Sequence, residues 1–282
     1  MYSSVTARDM GSQQKRIVSL ESHMIEKARM EDELQEAAEI AKAFLPSQKP
    51  IWNDFEIAIF HKPLTENSGD WYAFEESISG RYQHFIMCDI TGHGVQAALV
   101  VSTCKSILSS YTHSNSEDIE KSTFIIEYMK ELNWILFHNG KGFHVSTMLG
   151  LTFDRETNLV HYICAGHPAP LLFKHDAARK PIALTSRNNL LGTSLEFTGE
   201  LKSKRLEERD IIICYTDGLP IGSNVKALNG FAKNILFSKN FKKVPDELVK
   251  VIWDSESKRR NKPIDQFDDD ISVVSFKKNK GG

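Results

Sequence analysis

Two hydrophobic periods divide the chain. From residue 14 to 43, apolar positions recur at helical spacing, with Ile17, Leu20, Met24, Leu34, Ala38 and Ala41 forming a stripe broken at Lys27 and Glu31. This stretch contains no Gly or Pro and is dense in strong helix formers, which predicts one long charged helix. It ends at FLPSQKP, where Pro46 cannot continue a helix and disfavours helical backbone at Leu45. Such a helix is either a solvated cap on a domain or a short coiled-coil connector that dimerises; the stripe favours the connector, although its seam is short.

From residue 50 the period changes to that of strands. DFEIAIFHKP, GRYQHFIMCDI, STMLGLTFD, LVHYICAG, PAPLLFKH, RDIIICYTD and DISVVSFKK are short runs rich in Val, Ile, Phe and Tyr, bounded by Gly, Pro, Asp or Asn. DRETN, between two of them, predicts a hairpin and hence antiparallel pairing. VQAALVVSTCKSILSSY and STFIIEYMKELNWILFHN carry apolar residues at helical spacing, and PDELVKVIWDSESKRR opens a third helix with Pro245 and acidic residues in its first turn. Strands, paired helices and further strands, with hairpins, predict an antiparallel α+β sandwich rather than a parallel doubly wound sheet. The expected organisation is a flexible N-terminus over 1–13, a helical linker over 14–45 and one domain over 46–282.

Charge and cysteine usage narrow the class. The net charge of −2 across 282 residues, with 41% hydrophobic and 26% charged residues, gives no reason to expect a nucleic acid or an anionic membrane as partner. Cys88, Cys104, Cys164 and Cys214 lie in apolar surroundings without a C-x-x-C pair and read as reduced core residues. No stretch approaches the ~20 apolar residues of a membrane span, and the polar N-terminus is no signal peptide, so the expected location is cytoplasmic.

Aspartate recurs where strands end. Asp70 lies in NSGDWY, Asp89 in MCDITGHG, Asp217 in CYTDGLP, and Asp268 to Asp270 in FDDDISVV. Singly, each has an ordinary reading as a turn or a cap. As a group they form an oxygen-only donor set without matching Cys or His, which suits magnesium or manganese. Two such ions can activate a bridging water against a phosphate ester, so the pattern points to a two-metal phosphohydrolase. His93, in GHG, reads as a turn-fixing residue in preference to a general acid, and His167, in AGHPAP, as a residue that packs or braces a loop. His144 and His161 read as ordinary strand residues, and KSKRLEER around 202–209 as a solvated turn. The chain has no P-loop and no G-x-S-x-G elbow.

Set in order, AFLPSQ, SGDWY, CDITGHGVQAAL, FHVSTMLGLTFD, CAGHPAPLLF, NLLGTS, RDIIICYTDGL and DDDISVV resemble the SpoIIE/RsbU-type branch of the PPM metal-dependent serine/threonine phosphatases. The resemblance covers residues 43 to 274 and implies an αββα sandwich with a metal centre at one edge. It implies two divalent ions, manganese or magnesium, bridged by Asp89, with the backbone carbonyl of Ile90 on one of them. Asp217 and Asp269 would bind on the other side, and Asp70 would hold the second ion or its waters. Asp89 and Asp217 are thereby the expected catalytic positions, and Asp268 the extra residue of the acidic run. The implied reaction is direct attack of metal-activated water on phosphoserine or phosphothreonine of a regulatory protein, by analogy an anti-sigma-factor antagonist. The strand would then deliver Asp89 to the ions, and Gly92 and Gly94 would let the following turn clear the site. Two positions depart from the family pattern: Pro220-Ile221 follow the Tyr-Thr-Asp-Gly-Leu element where Thr-Glu is usual, and Cys88 replaces a glycine before the bridging aspartate. Neither removes a ligand, but Pro220-Ile221 is expected to alter a nearby loop and with it substrate fit or regulation. The resemblance further implies an upstream sensor or activator acting through a helical linker, and the apolar stripe of the 14–43 helix leads us to expect a homodimer through it. The rival reading is a catalytically silent partner-switching module, which a missing ligand would favour; a hydrolase of small phosphate esters is a third.

Overall fold

The computed structural model describes residues 19–30, 32, 43–46, 48–64, 68–90, 95–113, 117–140, 145–175, 180–235, 240–261 and 269–280. Two five-stranded antiparallel sheets carry the fold. One has the order β1-β10-β9-β6-β7, from Phe55–Lys62, Ile271–Lys278, Ile211–Tyr215, Leu171–Phe173 and Ile182–Ala183. The other has the order β2-β3-β4-β5-β8, from Asp70–Glu76, Tyr82–Ile90, Ser146–Asp154, Leu159–Ala165 and Lys202–Arg205. Helices α1 (Val95–His113) and α2 (Phe124–Gly140) cover the second sheet, and α3 (Val225–Ile235) and α4 (Val244–Arg260) cover the first. The layers are those of the expected αββα sandwich.

Strand alternation explains why both sheets are buried on both faces. Along β3, Phe85 and Met87 enter the core between the sheets, whereas Ile86 and Cys88 pack under α1 and α2. Along β9, Ile212 and Cys214 face the other sheet, while Ile211 and Ile213 face α3 and α4. A strand covered on both sides has no polar face to show, so RDIIICYTD reads as a continuous apolar run. The aromatic centre between the sheets joins Trp52, Phe55, Phe74, Phe85, Phe153 and Phe276 in edge, tilted and stacked contacts. All four cysteines are buried and free.

The predicted hairpin joins β4 to β5, with Asn158 at φ 57° in its turn. Strands β2 and β7 were not among the expected runs, and two further elements differ from expectation. Lys202–Arg205 is strand β8, paired with β5, and not a solvated turn; its charged sequence is that of an edge strand, whose outer side faces water. Helix α3 was not anticipated, because VKALNGFAKNI holds Gly230 and two Asn within eleven residues.

At the N-terminus, residues 19–30 are helical and exposed, including Leu20, Met24, Ile25 and Met30. Ile17, Leu34, Ala38 and Ala41 of the predicted stripe lie outside the described residues. Where the predicted linker ends, the chain joins the domain: Phe44 and Leu45 pack against the cores, and the Trp71 indole N–H donates to the Phe44 carbonyl at 3.0 Å. No helix among the described residues is long and apolar enough to cross a membrane.

Candidate metal centre

The acidic residues converge because four strands start or stop at the same end of the sandwich. In the register of β2 and β3, Asp70 stands directly opposite Asp89. Like charges in that position repel unless something of opposite sign joins them. From the facing sheet, β9 ends at Tyr215, two residues before Asp217, and its neighbour β10 begins just after Asp269 and Asp270. Ile90 closes β3 with its side chain buried and its amide bonded to the Gly69 carbonyl at 3.2 Å. Thr91 to Gly94, including His93, lie outside the described residues, as do Asp268 and His144. His161 is a β5 residue bonded to Ser203, as expected.

Each carboxylate has a different environment. Asp70 is buried, and its Oδ2 accepts hydrogen bonds from Thr216 Oγ1 and Ser272 Oγ, both at 2.7 Å. Because the single Ser272 hydroxyl proton is directed at Asp70, His61 Nδ1, 2.9 Å from the same oxygen, is the donor of that pair. Asp270 is also buried, and its two oxygens accept the backbone N–H groups of Leu64 and Gly69, each at 2.7 Å. It is therefore committed to holding the segment before β2. Asp269 is exposed, and its Oδ1 accepts the Asp270 N–H at 2.8 Å. Of the two neighbours, Asp269 is the one whose carboxylate is not bonded to the chain before β2.

Gly218 explains how Asp217 and Asp269 come so close. A Cβ at this position would lie 2.0 Å from the Asp270 carbonyl oxygen, so only glycine lets the two loops touch. Pro220-Ile221 build the same loop outward: Ile221 is buried in the core under α3 and α4, and the Pro220 carbonyl accepts from Asn224 Nδ2 at 2.9 Å. Asn224 also donates to the fully buried Glu256 of α4 at 2.8 Å, which in turn is paired with Arg259 and Arg260. This loop is thus anchored to α4 by the packing of Ile221 and by Asn224, which links the Pro220 carbonyl to the buried Glu256 carboxylate.

Electrostatics test whether a cation fits. Burial, followed by the charges of Asp217, Asp269 and Asp270, pushes the Asp89 carboxyl up to about 7, and Asp217 lies within hydrogen-bonding reach of it. Burial also holds Asp70 well above the usual carboxylate range, against the pull of the Ser272 and Thr216 hydroxyls. Asp269 is raised by burial and by Asp217. Carboxylates that raise one another in this way favour either protons or cations among them, and the all-oxygen donor set favours hard divalent cations. The residues fit the ions. A second acidic cluster at the opposite end, His175, Glu207 and Asp210, differs: Lys174 Nζ already lies 2.6 Å from Asp210 and 2.9 Å from Glu207.

The model of the stage II sporulation protein E (SpoIIE) family matches residues 79–279, most of the chain and every strand from β3 to β10. The chain belongs to the SpoIIE family. The membership places it in the SpoIIE/RsbU branch of the PPM phosphatases. The phosphoserine phosphatase RsbU of Bacillus subtilis (strain 168) is 24% identical over 256 residues, which span 88% of this chain and 71% of that one. Among solved structures, the RsbU and RsbW domains of a Mycobacterium tuberculosis protein superpose with a TM-score of 0.64 at 21% identity, over 81% of this chain and 62% of that one. This chain thus spans under two thirds of that protein's solved length. RsbX in complex with magnesium has a TM-score of 0.58 at 14% identity, over 82% of this chain and 99% of that one.

Sequence reasoning did not single out His61, Thr147 or Thr216. Thr216 had a usable signal, a hydroxyl residue just after an apolar strand and one position before a candidate site aspartate. His61 and Thr147 had none, because their roles depend on strand neighbours far apart in the chain.

Proposed function

We propose that this SpoIIE-family chain is a metal-dependent protein phosphatase that hydrolyses phosphoserine or phosphothreonine on a regulatory protein. The observation that carries the reading is the convergence of the aspartates at one end of the sandwich, with Asp70 opposite Asp89 in register and the charges of Asp217 and Asp269 adding to burial in raising the Asp89 carboxyl. Asp89 would bridge two divalent ions with the Ile90 carbonyl on one of them, Asp217 and Asp269 on the other side, and Asp70 holding the second ion or its waters. When bound, manganese or magnesium supplies the Lewis acidity that activates water and neutralises charge on the phosphoryl oxygens.

The protein's own groups do the positioning. Thr216 and Ser272 restrain one oxygen of Asp70 and leave the other for the site. Asp270 holds the Leu64 and Gly69 amides and stays out of the donor set. Asp89 arrives on a strand pinned on both edges, by β2 and by β4. Such preorganisation lets a water and a phosphate ester meet in fixed geometry without a side-chain nucleophile.

RsbU is named a phosphoserine phosphatase, and by analogy the substrate here is a phosphorylated anti-sigma-factor antagonist. The exposed apolar residues of the N-terminal helix support dimerisation through that helix, and the Phe44–Trp71 contact supports a signal from an upstream sensor or activator reaching β2 beside Asp70. Comparison of phosphate release from a phosphoserine peptide and from a nucleotide, each with manganese, tests the substrate class. Faster release from the peptide is expected, whereas preference for the nucleotide would replace the proposal with a small-ester hydrolase.

A further inference from the structure

His167 is fully enclosed and takes no part in the acidic donor set. It lies in the connection that leaves β5 in one sheet and enters β6 in the other, at the site end of both. Gly166, with φ 65°, turns the chain there, and a Cβ on it would lie 2.7 Å from the Leu190 side chain. The connection thereby carries a buried side chain to the site end of both sheets.

Both ring nitrogens point at strand ends. Nδ1 lies 2.8 Å from Thr147 Oγ1, and Thr147 is the cross-strand partner of Asp89 on β4. The ring also reaches the backbone carbonyl of Tyr215, two residues before Asp217 on β9. With Nδ1 engaged by Thr147, Nε2 is the nitrogen left to face that carbonyl, and it is buried without a regular hydrogen-bond partner. Thr147 Oγ1 is 3.4 Å from the Asp89 carbonyl, so its proton is better placed on Nδ1 at 2.8 Å. That direction makes Nδ1 the acceptor and puts the ring hydrogen on Nε2, toward Tyr215. Ser146 Oγ, 3.2 Å from the Asp89 carbonyl, supplies the other contact there.

We propose that His167 is a positioning residue for the phosphatase reaction: a neutral imidazole protonated at Nε2 that clamps β4 to β9 beneath the acidic site and sets the separation of Asp89 from Asp217. The two aspartates come from different sheets, so no strand ladder fixes their distance. The clamp spans that gap. A site that binds cations between two sheets depends on their spacing, and partners behind metal ligands commonly govern affinity by 10–100-fold. The inference rests on the cation-dependent reading of the site.

The test is manganese titration of the whole chain by calorimetry, together with the manganese dependence of p-nitrophenyl phosphate turnover. The variants are His167→Asn, which can retain the contact with Thr147, His167→Gln, which can retain the contact with Tyr215, and Thr147→Val and Thr147→Ser. Each His167 variant and Thr147→Val are expected to bind manganese roughly 10-fold or more weakly, with turnover at saturating manganese reduced less, and Thr147→Ser is expected to restore affinity. Combining Thr147→Val with His167→Asn should add little to either alone, since loss of either contact already opens the clamp. If the His167 variants do not fold, the Thr147 pair decides. Wild-type affinity in Thr147→Val and in any folded His167 variant would overturn the clamp and leave the phosphatase reading standing. A wild-type chain that binds no manganese would overturn both.

Discussion

Residues at this site are defined by what they are prevented from doing. Gly218 carries no side chain because the Asp270 carbonyl occupies that space, so Gly218→Ala must separate the loops bearing Asp217 and Asp269. We expect manganese affinity to fall roughly 10-fold, with the fold retained; calorimetry on the variant checks this. His84 behaves similarly in the core. It is buried between Thr152 and the Ile119 carbonyl, each 2.9 Å from a ring nitrogen, and burial lowers its pKa to about 4. The unfolded chain takes up this proton near pH 6.5, so between about 6.5 and 4 the unfolded state binds more protons and stability falls as the pH drops. His84→Gln keeps a donor and an acceptor without the proton uptake. Its stability, read by urea unfolding, should fall about 2 kcal/mol less than wild type between pH 7 and pH 5; an identical fall would mean that His84 is already charged in the fold.

At the scale of elements, the sandwich depends on helices lying close to their sheets. Gly150 of β4 sits under α2, where a Cβ would meet Ile125 Cγ2 at 1.9 Å. Gly150→Ala should therefore cost about 1–3 kcal/mol through overpacking, seen as a lower urea midpoint with an unchanged slope. The same scale shows what could be read in the sequence. Three helices and the strands β1, β3, β4, β5, β6, β9 and β10 were legible because burial on one stripe or two faces leaves an apolar signature, whereas β2 and β7 were not read. The strand-end aspartates were legible because charge is rare beside such runs. Strand β8 was hidden by the lysines and arginine that suit an edge. The bonds that tie Asp70 to Thr216 and Ser272 were illegible for a different reason. They join residues 146 and 202 positions apart across facing sheets, and periodicity along one strand carries no information about which strand end it meets.

On the proposed reading, the exposed N-terminal helix is coupled to the acidic site. Leu20, Met24, Ile25 and Met30 present apolar surface to water, and an exposed apolar stripe on a charged helix favours a second copy. At the linker's end, Phe44 is bonded to Trp71, whose chain neighbour is Asp70. Removing residues 1–34 should halve the mass seen by light scattering and lower turnover; unchanged mass and turnover would contradict dimerisation and its link to activity. The central claim, that the converging aspartates form a cation-dependent phosphatase site, is tested most directly by p-nitrophenyl phosphate hydrolysis. It should proceed with manganese, stop with EDTA, and be abolished in Asp89→Asn. Hydrolysis that persists in EDTA or survives Asp89→Asn would contradict it.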